Sequence, residues 1–298
     1  MKAILAFLVV ILCFASTGIL KNYLHGVPSA FLAFSRIAIS LALFAVIFRG
    51  EIKKPRNLKM WASFAVSGMF IAIAFSLYLE AFDHAPVADI ALLGFVDPLF
   101  ATLLAGWVLK EKISIYAYGA IALAAAGVFF LLNFPSDLNS AYLGIWLAIL
   151  SFLAGSANTV LARWEERHNA PLVDVVFFPF AFAALFLLLP AVAEAPRIAG
   201  LGIGIWGYAV IFSIGATTAL GYYLYDKLME KYGAHTTDLA VRAGITVVAS
   251  AASIMILGQG LGKYSVVAGA FLFGASYLIY LEAHKSRKKF VKLHGHTQ

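Results

Sequence analysis

Five ionisable side chains interrupt the long apolar stretches of this sequence, and these residues are the best placed to bind or move a charged solute. They are two arginines and three aspartates: Arg36, Arg242, Asp89, Asp97 and Asp238. A charge inside a membrane-spanning stretch is costly unless it is paired, so such residues mark functional sites. Arginine offers a planar set of N–H donors that matches a carboxylate, and an aspartate can hold a proton or an amine. These residue types therefore predict a site for a small charged molecule.

Asp238 and Arg242 are four residues apart, so their side chains can touch on one face of a helix. One interpretation is a local ion pair that makes both residues tolerable in a membrane. In the other, Arg242 faces a cavity and meets an anionic group of a substrate. The spacing is compatible with both.

Arg36 and Asp97 fall at similar depth in two different apolar stretches. They could form an ion pair that fixes the packing of two helices. Alternatively, Arg36 anchors a carboxylate and Asp97 holds a proton or an amine. Asp97 precedes Pro98, whose missing N–H frees the carbonyl one turn earlier. The sequence therefore predicts a polar notch near the membrane midplane.

Asp89 and Asp238 are predicted to lie nearer the membrane surfaces. Asp89 is eight residues before Asp97, so the two share a broad helix face but cannot share one proton directly. Each carboxylate could still bind a proton alone if it is desolvated. Asp97, Asp89 and Asp238 are therefore the candidates for proton coupling.

Three uncharged residues complete the candidate substrate site: Asn158, Tyr78 and Tyr222. A mid-span amide such as Asn158 must find a partner, which could equally be a neighbouring helix. Tyrosines near span ends commonly sit in the aromatic belt at the membrane interface. No catalytic residue, cofactor or metal site is predicted, because the histidines and the single cysteine lack ligand spacing.

The composition indicates a membrane protein. Hydrophobic residues make up 62% of the 298 residues and charged residues only 12%, against about 45–50% and about 25% in soluble domains. The net charge of +7 could favour nucleic acid, but the basic residues lie in short loops and at the tail, without an aromatic-lined basic face. A lipid bilayer is therefore the predicted partner, and nucleic acid is not.

Apolar runs bounded by charge, proline or glycine predict ten spans of roughly the 20 residues that cross a bilayer as a helix. They are residues 3–20, 28–48, 60–80, 86–109, 114–132, 141–162, 171–192, 204–225, 235–257 and 264–281. The predicted fold class is an all-α integral membrane protein.

The basic residues also predict an orientation. Seventeen lysines and arginines fall on the side of the N-terminus and three on the other, with Arg36 and Arg242 inside spans. By the positive-inside rule, both termini are cytoplasmic and the protein lies in the cell membrane (plasma or inner).

The spans are expected to form two inverted five-helix repeats. Spans four and nine align at an offset of 149 residues, with Asp89 matching Asp238. Because five is odd, the second half must enter the membrane from the opposite side, as in many secondary transporters. The predicted divisions are a first repeat at 1–138, a second at 139–283, and a basic cytoplasmic tail at 284–298 that anchors at the anionic leaflet.

The order of motifs along the chain resembles the drug/metabolite transporter superfamily, in particular its EamA-type members. The motifs are residues 14–18 with Lys21 and Arg36, residues 97–100 followed by residues 110–112, Gly119 and Gly127, and residues 215–225. Phe14 stands where the family usually has Trp, and Gln259 replaces the Glu expected in the second half. The resemblance implies a ten-helix carrier with alternating access for amino acids, sugars, nucleotides or amphiphilic compounds.

Other classes of function find less support in the sequence. It has neither the H-E-x-x-H zinc pattern nor the G-x-S-x-G nucleophile pattern of an enzyme, and a scaffold would not need deep charges. Because those charges have both signs, we expect export of an amino acid or similar zwitterion through a cavity between the repeats. The alternatives are a non-transporting membrane scaffold and an intramembrane enzyme.

Overall fold

The computed structural model describes residues 2–24, 26–55, 57–110, 114–133, 140–232, 234–262 and 264–294. At residues 2, 3, 133, 140, 141, 230, 234–236 and 282–294 it describes the backbone alone. The motif residues Glu111 and Lys112 lie outside the described residues, as do the side chains of the basic tail.

The regular structure of the described residues is helical throughout. The α-helices are α1 (Lys2–Asn22), α2 (Ser29–Ile47), α3 (Leu58–His84), α4 (Val87–Leu93), α5 (Asp97–Val108), α6 (Ile115–Asn133), α7 (Ser140–Arg167), α8 (Leu172–Gly200), α9 (Ile205–Tyr232), α10 (Ala234–Met255) and α11 (Ser265–His294). In the described part of the chain, nine helical segments are long and apolar enough to cross a membrane, and Ser265–Leu281 is a shorter apolar segment. The all-α, multi-pass membrane fold is confirmed.

The predicted fourth span is a broken helix. A 3₁₀ turn, Gly94–Val96, separates α4 from α5 within the segment Val87–Val108. The turn tightens the backbone, and the N–H of Asp97 bonds to the carbonyl of Gly94. Pro98 then occupies the first turn of α5, where its missing N–H is tolerated. The break therefore lies where the sequence predicts a notch.

Several helices continue beyond the predicted ends of their spans, and the extensions are longest in α8, α9 and α11. Helix α8 runs on from the expected end at 192, α9 from 225 and α11 from 281. Hydropathy marks where the apolar stretch ends, whereas a helix can continue past that point because its backbone hydrogen bonds are internal.

The packing of the helices is interlaced between the two halves. Helix α3 packs against α7 and α8, and α9 packs against α1 and α2; α2 also meets α8, and α6 meets α11. Small residues permit the closest of these approaches: a Cβ on Gly127 of α6 would lie 2.6 Å from Cγ of Leu272 on α11.

Candidate substrate site

Two adjoining cavities run into the helix bundle. The outer one, here called the vestibule, has a volume of about 260 Å³ and is lined by Arg163, Glu166 and Met229 at helix ends. The inner cavity has about 270 Å³ and is lined by Arg36, Phe75 and other deeper residues. The helix ends around the vestibule lie on the side of the bundle where the chain starts and α11 ends, which we call the terminal side. The cavities therefore open toward the terminal side.

The charge cluster, defined as Asp97, Asp238 and Arg242, lies where the two cavities adjoin. Arg242 Nε donates to Asp238 Oδ1 at 2.8 Å and Oδ2 at 3.0 Å. Its Nη2 donates to Asp97 Oδ2. The structure thus contains the i, i+4 pair that the sequence allows, and it also places Arg242 on the cavity wall.

The break between α4 and α5 supplies a further ligand to this arginine. Arg242 Nη1 donates to the carbonyl oxygen of Gly94 at 2.8 Å. Gly94 is four residues before Pro98, so its carbonyl lacks the α-helical donor that residue 98 would otherwise supply. It accepts instead from the Asp97 N–H in the 3₁₀ turn and from Arg242. The polar notch expected from the sequence is present, and Arg242 occupies it.

Both carboxylates of the charge cluster are also held by hydroxyl groups. The Ser156 hydroxyl bonds to the Asp97 side chain and to its backbone carbonyl. The Tyr225 hydroxyl donates to Asp238 Oδ1 at 2.8 Å. Asp97 at the start of α5 is therefore joined directly to α7 and α10, and through Asp238 to α9.

Arg36 lies apart from the charge cluster. Its Nε donates to Thr218 Oγ1 at 2.7 Å, and its guanidinium lies 4.2 Å from the centre of the Phe75 ring. The side chain is buried, yet Nη1 has no hydrogen-bond partner among the described residues. Because Arg36 lines the inner cavity, it presents a cation to whatever enters that cavity.

The interpretation that Arg36 and Asp97 form an ion pair is therefore wrong. Arg36 bonds to Thr218 on α9, and Asp97 bonds to Arg242 on α10. Similar depth in the membrane does not fix the angular position of a helix around the bundle. That position depends on which helices pack together.

Aromatic rings form much of the inner wall. Tyr78 packs edge-on against Phe152 with ring centres 5.9 Å apart, and Tyr222 packs edge-on against Phe14 at 5.4 Å. Tyr78, Tyr222 and Asn158 all line the inner cavity. Tyr222 is not in the interfacial belt, because α9 continues to Tyr232 and places it well within the bundle.

Asp89 is separate from the other candidates. It is buried and accepts a hydrogen bond of 2.7 Å from the Ser265 hydroxyl at the start of α11. It lines neither cavity. The structure thus brings Asp97 and Asp238 together as carboxylates beside the cavities, and not Asp89.

Sequence reasoning missed a fully buried carboxyl group, Glu165 on α7. Its Oε1 accepts hydrogen bonds from Ser63 at 2.7 Å and Ser67 at 2.9 Å, and Oε2 has no partner among the described residues. Glu165 stands in a charged segment at a helix end, which is typical of a solvated surface. The available signal was the pair of serines four residues apart on α3, which places two hydroxyls on one face.

Within the described part of the chain, no three His, Cys, Asp or Glu side chains come together as a metal site would require. The ionisable groups in the inner cavity are instead two arginines and two aspartates with tyrosines around them. These groups can bind complementary charges of an organic solute.

Comparison with known families gives the class of protein. Residues 1–133 match the EamA-like transporter family. The resemblance that the motifs predict is confirmed for this part of the chain, and the comparisons indicate a membrane transporter rather than an enzyme.

Individual proteins similar to this chain agree with that class. The pseudopaline exporter CntI of Pseudomonas aeruginosa strain UCBPP-PA14 is 24% identical over 237 residues, covering 78% of this chain and 79% of that protein. Its counterpart in strain PAO1 is 26% identical over 171 residues, covering 56% and 58%. One solved crystal structure, 18% identical, superposes with a TM-score of 0.64 over 95% of this chain and 98% of the other. That last likeness supports the fold alone.

Proposed function

We propose that this protein exports a small zwitterionic metabolite, such as an amino acid, by alternating access through the inner cavity. The observation that carries the proposal is the buried Arg36 guanidinium with its unpartnered Nη1. A buried cation with an open donor is costly to leave empty, and a carboxylate provides the geometry that a guanidinium prefers.

The arrangement of charge favours a zwitterion over a simple anion. The charge cluster holds two carboxylates and one guanidinium, so it carries one net negative charge, whereas Arg36 carries one positive charge. The inner cavity therefore has a negative pole and a positive pole. A molecule with an ammonium and a carboxylate can satisfy both poles at once.

Alternating access in the proposal rests on two inverted repeats, residues 1–138 and 139–283. In the two repeats, α1, α2 and α3 correspond to α7, α8 and α9. A two-fold relation therefore requires that α3 packs against α7 and α8 and that α9 packs against α1 and α2, and both sets of contacts are present. The pairs of α2 with α8 and α6 with α11 map onto themselves. This interlaced packing supports a two-fold relation between the repeats.

Export is the proposed direction. The cavities open toward the terminal side, which the positive-inside rule predicts to be the cytoplasm. A carrier in this state collects its substrate from the cytoplasm. The similar proteins named above are pseudopaline exporters, which supports the same direction.

Proton coupling is proposed for Asp97 and Asp238. Both carboxylates bond to Arg242, and Asp238 also accepts from the uncharged Tyr225 hydroxyl. The charge cluster therefore has one more carboxylate than it has cations. An ammonium group or a proton could supply the missing positive charge. The two would then compete, and an inward proton gradient would drive the substrate out.

The proposal is tested by ligand-dependent thermal stabilisation of the purified protein. The panel pairs each amino acid with the matching amine, which lacks the carboxylate, and the matching acid, which lacks the ammonium. At about five times Kd, a ligand adds about 1 kcal/mol of stability. We expect amino acids to stabilise the wild type more than either analogue, and Arg36→Met to lose this preference for a carboxylate.

Lys54→Met, which removes an exposed cation on the terminal side, is the matched control and should behave as wild type. Compounds that stabilise the protein then enter flux assays in proteoliposomes with and without a pH gradient. If the amine without a carboxylate stabilises wild type and Arg36→Met equally well, Arg36 is not a carboxylate anchor. If no solute in the panel is transported, the scaffold alternative replaces the transporter.

A further inference from the structure

We infer that Lys21, Asp83 and Gln259 form a polar gate that closes the inner cavity on the side opposite the vestibule. The inference rests on the alternating access proposed above, and it assigns the residues that must separate when the protein opens the other way. We call these three residues the far gate and the side on which they lie the far side.

The far gate lies where five helix ends meet. Helix α1 ends at Asn22 and α3 at His84, while α2 begins at Ser29 and α4 at Val87; α10 ends at Met255. Alternation of the helices places all of these ends on the far side.

The first element of the gate is an ion pair between α1 and α3. Lys21 Nζ lies 2.7 Å from Asp83 Oδ1 and 2.8 Å from Oδ2, and the Ser29 hydroxyl lies 3.5 Å from Oδ2. The Lys21 side chain is 1% exposed, whereas that of Asp83 is 40% exposed. The lysine is thus sealed inside, and the carboxylate closes the path between it and far-side water.

The second element is an amide bridge from the loop after α10. Gln259 Oε1 accepts from the backbone N–H of Val87 at 3.1 Å and from the Ser253 hydroxyl at 2.9 Å. Its Nε2 donates to the Asn22 side chain at 3.2 Å. This one side chain therefore joins the end of α1, the start of α4 and the last turn of α10.

Close packing connects the far gate to the inner cavity. Tyr78, which lines that cavity, packs edge-on against Phe82 with ring centres 4.7 Å apart, and Asp83 follows directly in the chain. On the facing helix, a Cβ added to Gly18 would lie 2.7 Å from the Phe82 ring. Movement at the gate would therefore reach the cavity wall within about one helical turn.

The chemistry of these contacts suits a closure that opens and shuts. A permanent joint between helices gains as much from apolar residues of similar volume as from a buried ion pair. Polar groups differ from apolar ones in the cost of opening the joint, because water can then bond to the lysine, the carboxylate and the amide. Separation of these polar groups therefore leaves none of them without a hydrogen-bond partner.

The test uses cysteine accessibility in the full-length protein. Cys13 is the single cysteine and is buried, so Cys13→Ala gives a silent background. Gly155→Cys places a thiol in the inner cavity, where a Cβ at this position has open space around it. A membrane-impermeant maleimide is applied to intact cells and to inverted vesicles, and Leu201→Cys and Glu51→Cys report which membrane face is exposed. No substrate is needed for this readout.

With the gate intact, we expect the thiol at Gly155→Cys to be labelled mainly from the terminal side. Lys21→Met with Asp83→Asn should raise its labelling rate from the far side by at least about tenfold, which corresponds to about 1.4 kcal/mol. Gln259→Met, which leaves the ion pair intact, should raise it in the same direction. Lys54→Met is the matched control for loss of a lysine and should change nothing.

An unchanged far-side rate in folded Lys21→Met/Asp83→Asn protein would overturn the inference. If that variant does not fold, Gln259→Met decides, and a wild-type rate in it has the same meaning. If labelling shifts but no solute is transported, the far gate stands and the proposed function fails. If solutes are transported while labelling stays constant, the proposed function stands and the gate lies elsewhere.

Discussion

The charge cluster should respond differently to the loss of its guanidinium and to the loss of one of its carboxylates, unlike an ordinary ion pair. Arg242 serves two carboxylates, and the three side chains are only 16–22% exposed. Arg242→Met leaves two buried negative charges facing each other. Removing one partner of a buried pair costs about 3–5 kcal/mol, and the Gly94 carbonyl loses one of its two donors as well.

Asp238→Asn should behave very differently. It leaves one carboxylate for one guanidinium, and the asparagine oxygen still accepts a hydrogen bond from Tyr225. The excess negative charge disappears, so we expect the free energy of unfolding to change by less than about 1 kcal/mol in either direction. At about 2–4 °C of Tm per kcal/mol, Arg242→Met should lower Tm by roughly 6–20 °C and Asp238→Asn should shift it by less than about 4 °C.

Thermal unfolding of the detergent-purified variants, followed by intrinsic fluorescence, measures both shifts. The triple variant Arg242→Met/Asp97→Asn/Asp238→Asn is the decisive control. It removes all three charges, so it should recover most of the stability lost in Arg242→Met. If Asp238→Asn is as damaging as Arg242→Met, or if the triple variant is the least stable, the excess negative charge is not the cause.

Three further substitutions test other parts of the structure. Glu165→Gln keeps an acceptor for the two serine hydroxyls of α3 and should cost less than about 1 kcal/mol, whereas Glu165→Ala should cost about 2 kcal/mol or more; equal Tm values for the two would contradict this. Thr218→Val leaves the Nε of Arg36 unpaired and should weaken ligand binding about tenfold or more, which Thr218→Ser should restore in the same titration. Gly127→Ala should lower Tm, because its Cβ would lie 2.6 Å from a buried leucine of α11 and overpacking costs about 1–3 kcal/mol; Gly155→Ala, with open space around its Cβ, should not, and similar shifts in both would show that glycine spacing is irrelevant.

The membrane fold was largely predictable from the sequence because bilayer thickness and backbone hydrogen bonding leave few choices. A span must be a continuous apolar run, and its helix satisfies its own backbone. The break before Pro98 was predictable for a similar reason, since the missing N–H acts within one turn of the same helix. The pair of Asp238 and Arg242 likewise depends only on helical spacing.

Contacts between helices were not predictable in the same way. Asp97 pairs with Arg242, and Arg36 bonds to Thr218, because packing rotates α5 toward α10 and α2 toward α9. The same holds for Glu165, whose partners are on α3, about a hundred residues earlier in the chain. The sequence determines how deep a residue lies along its span. The rotation of each helix about its own axis depends on the helices that pack against it.

The balance of charge in the inner cavity has an electrical consequence. Its two arginines and two aspartates sum to zero formal charge, and a zwitterion adds none. A charge that crosses the full membrane potential gains or loses about 2.3 kcal/mol per 100 mV. Reorientation of the zwitterion-loaded protein should therefore be nearly independent of voltage, whereas the proton-loaded protein of the proposed exchange carries one extra positive charge and should reorient at a rate that responds to the membrane potential.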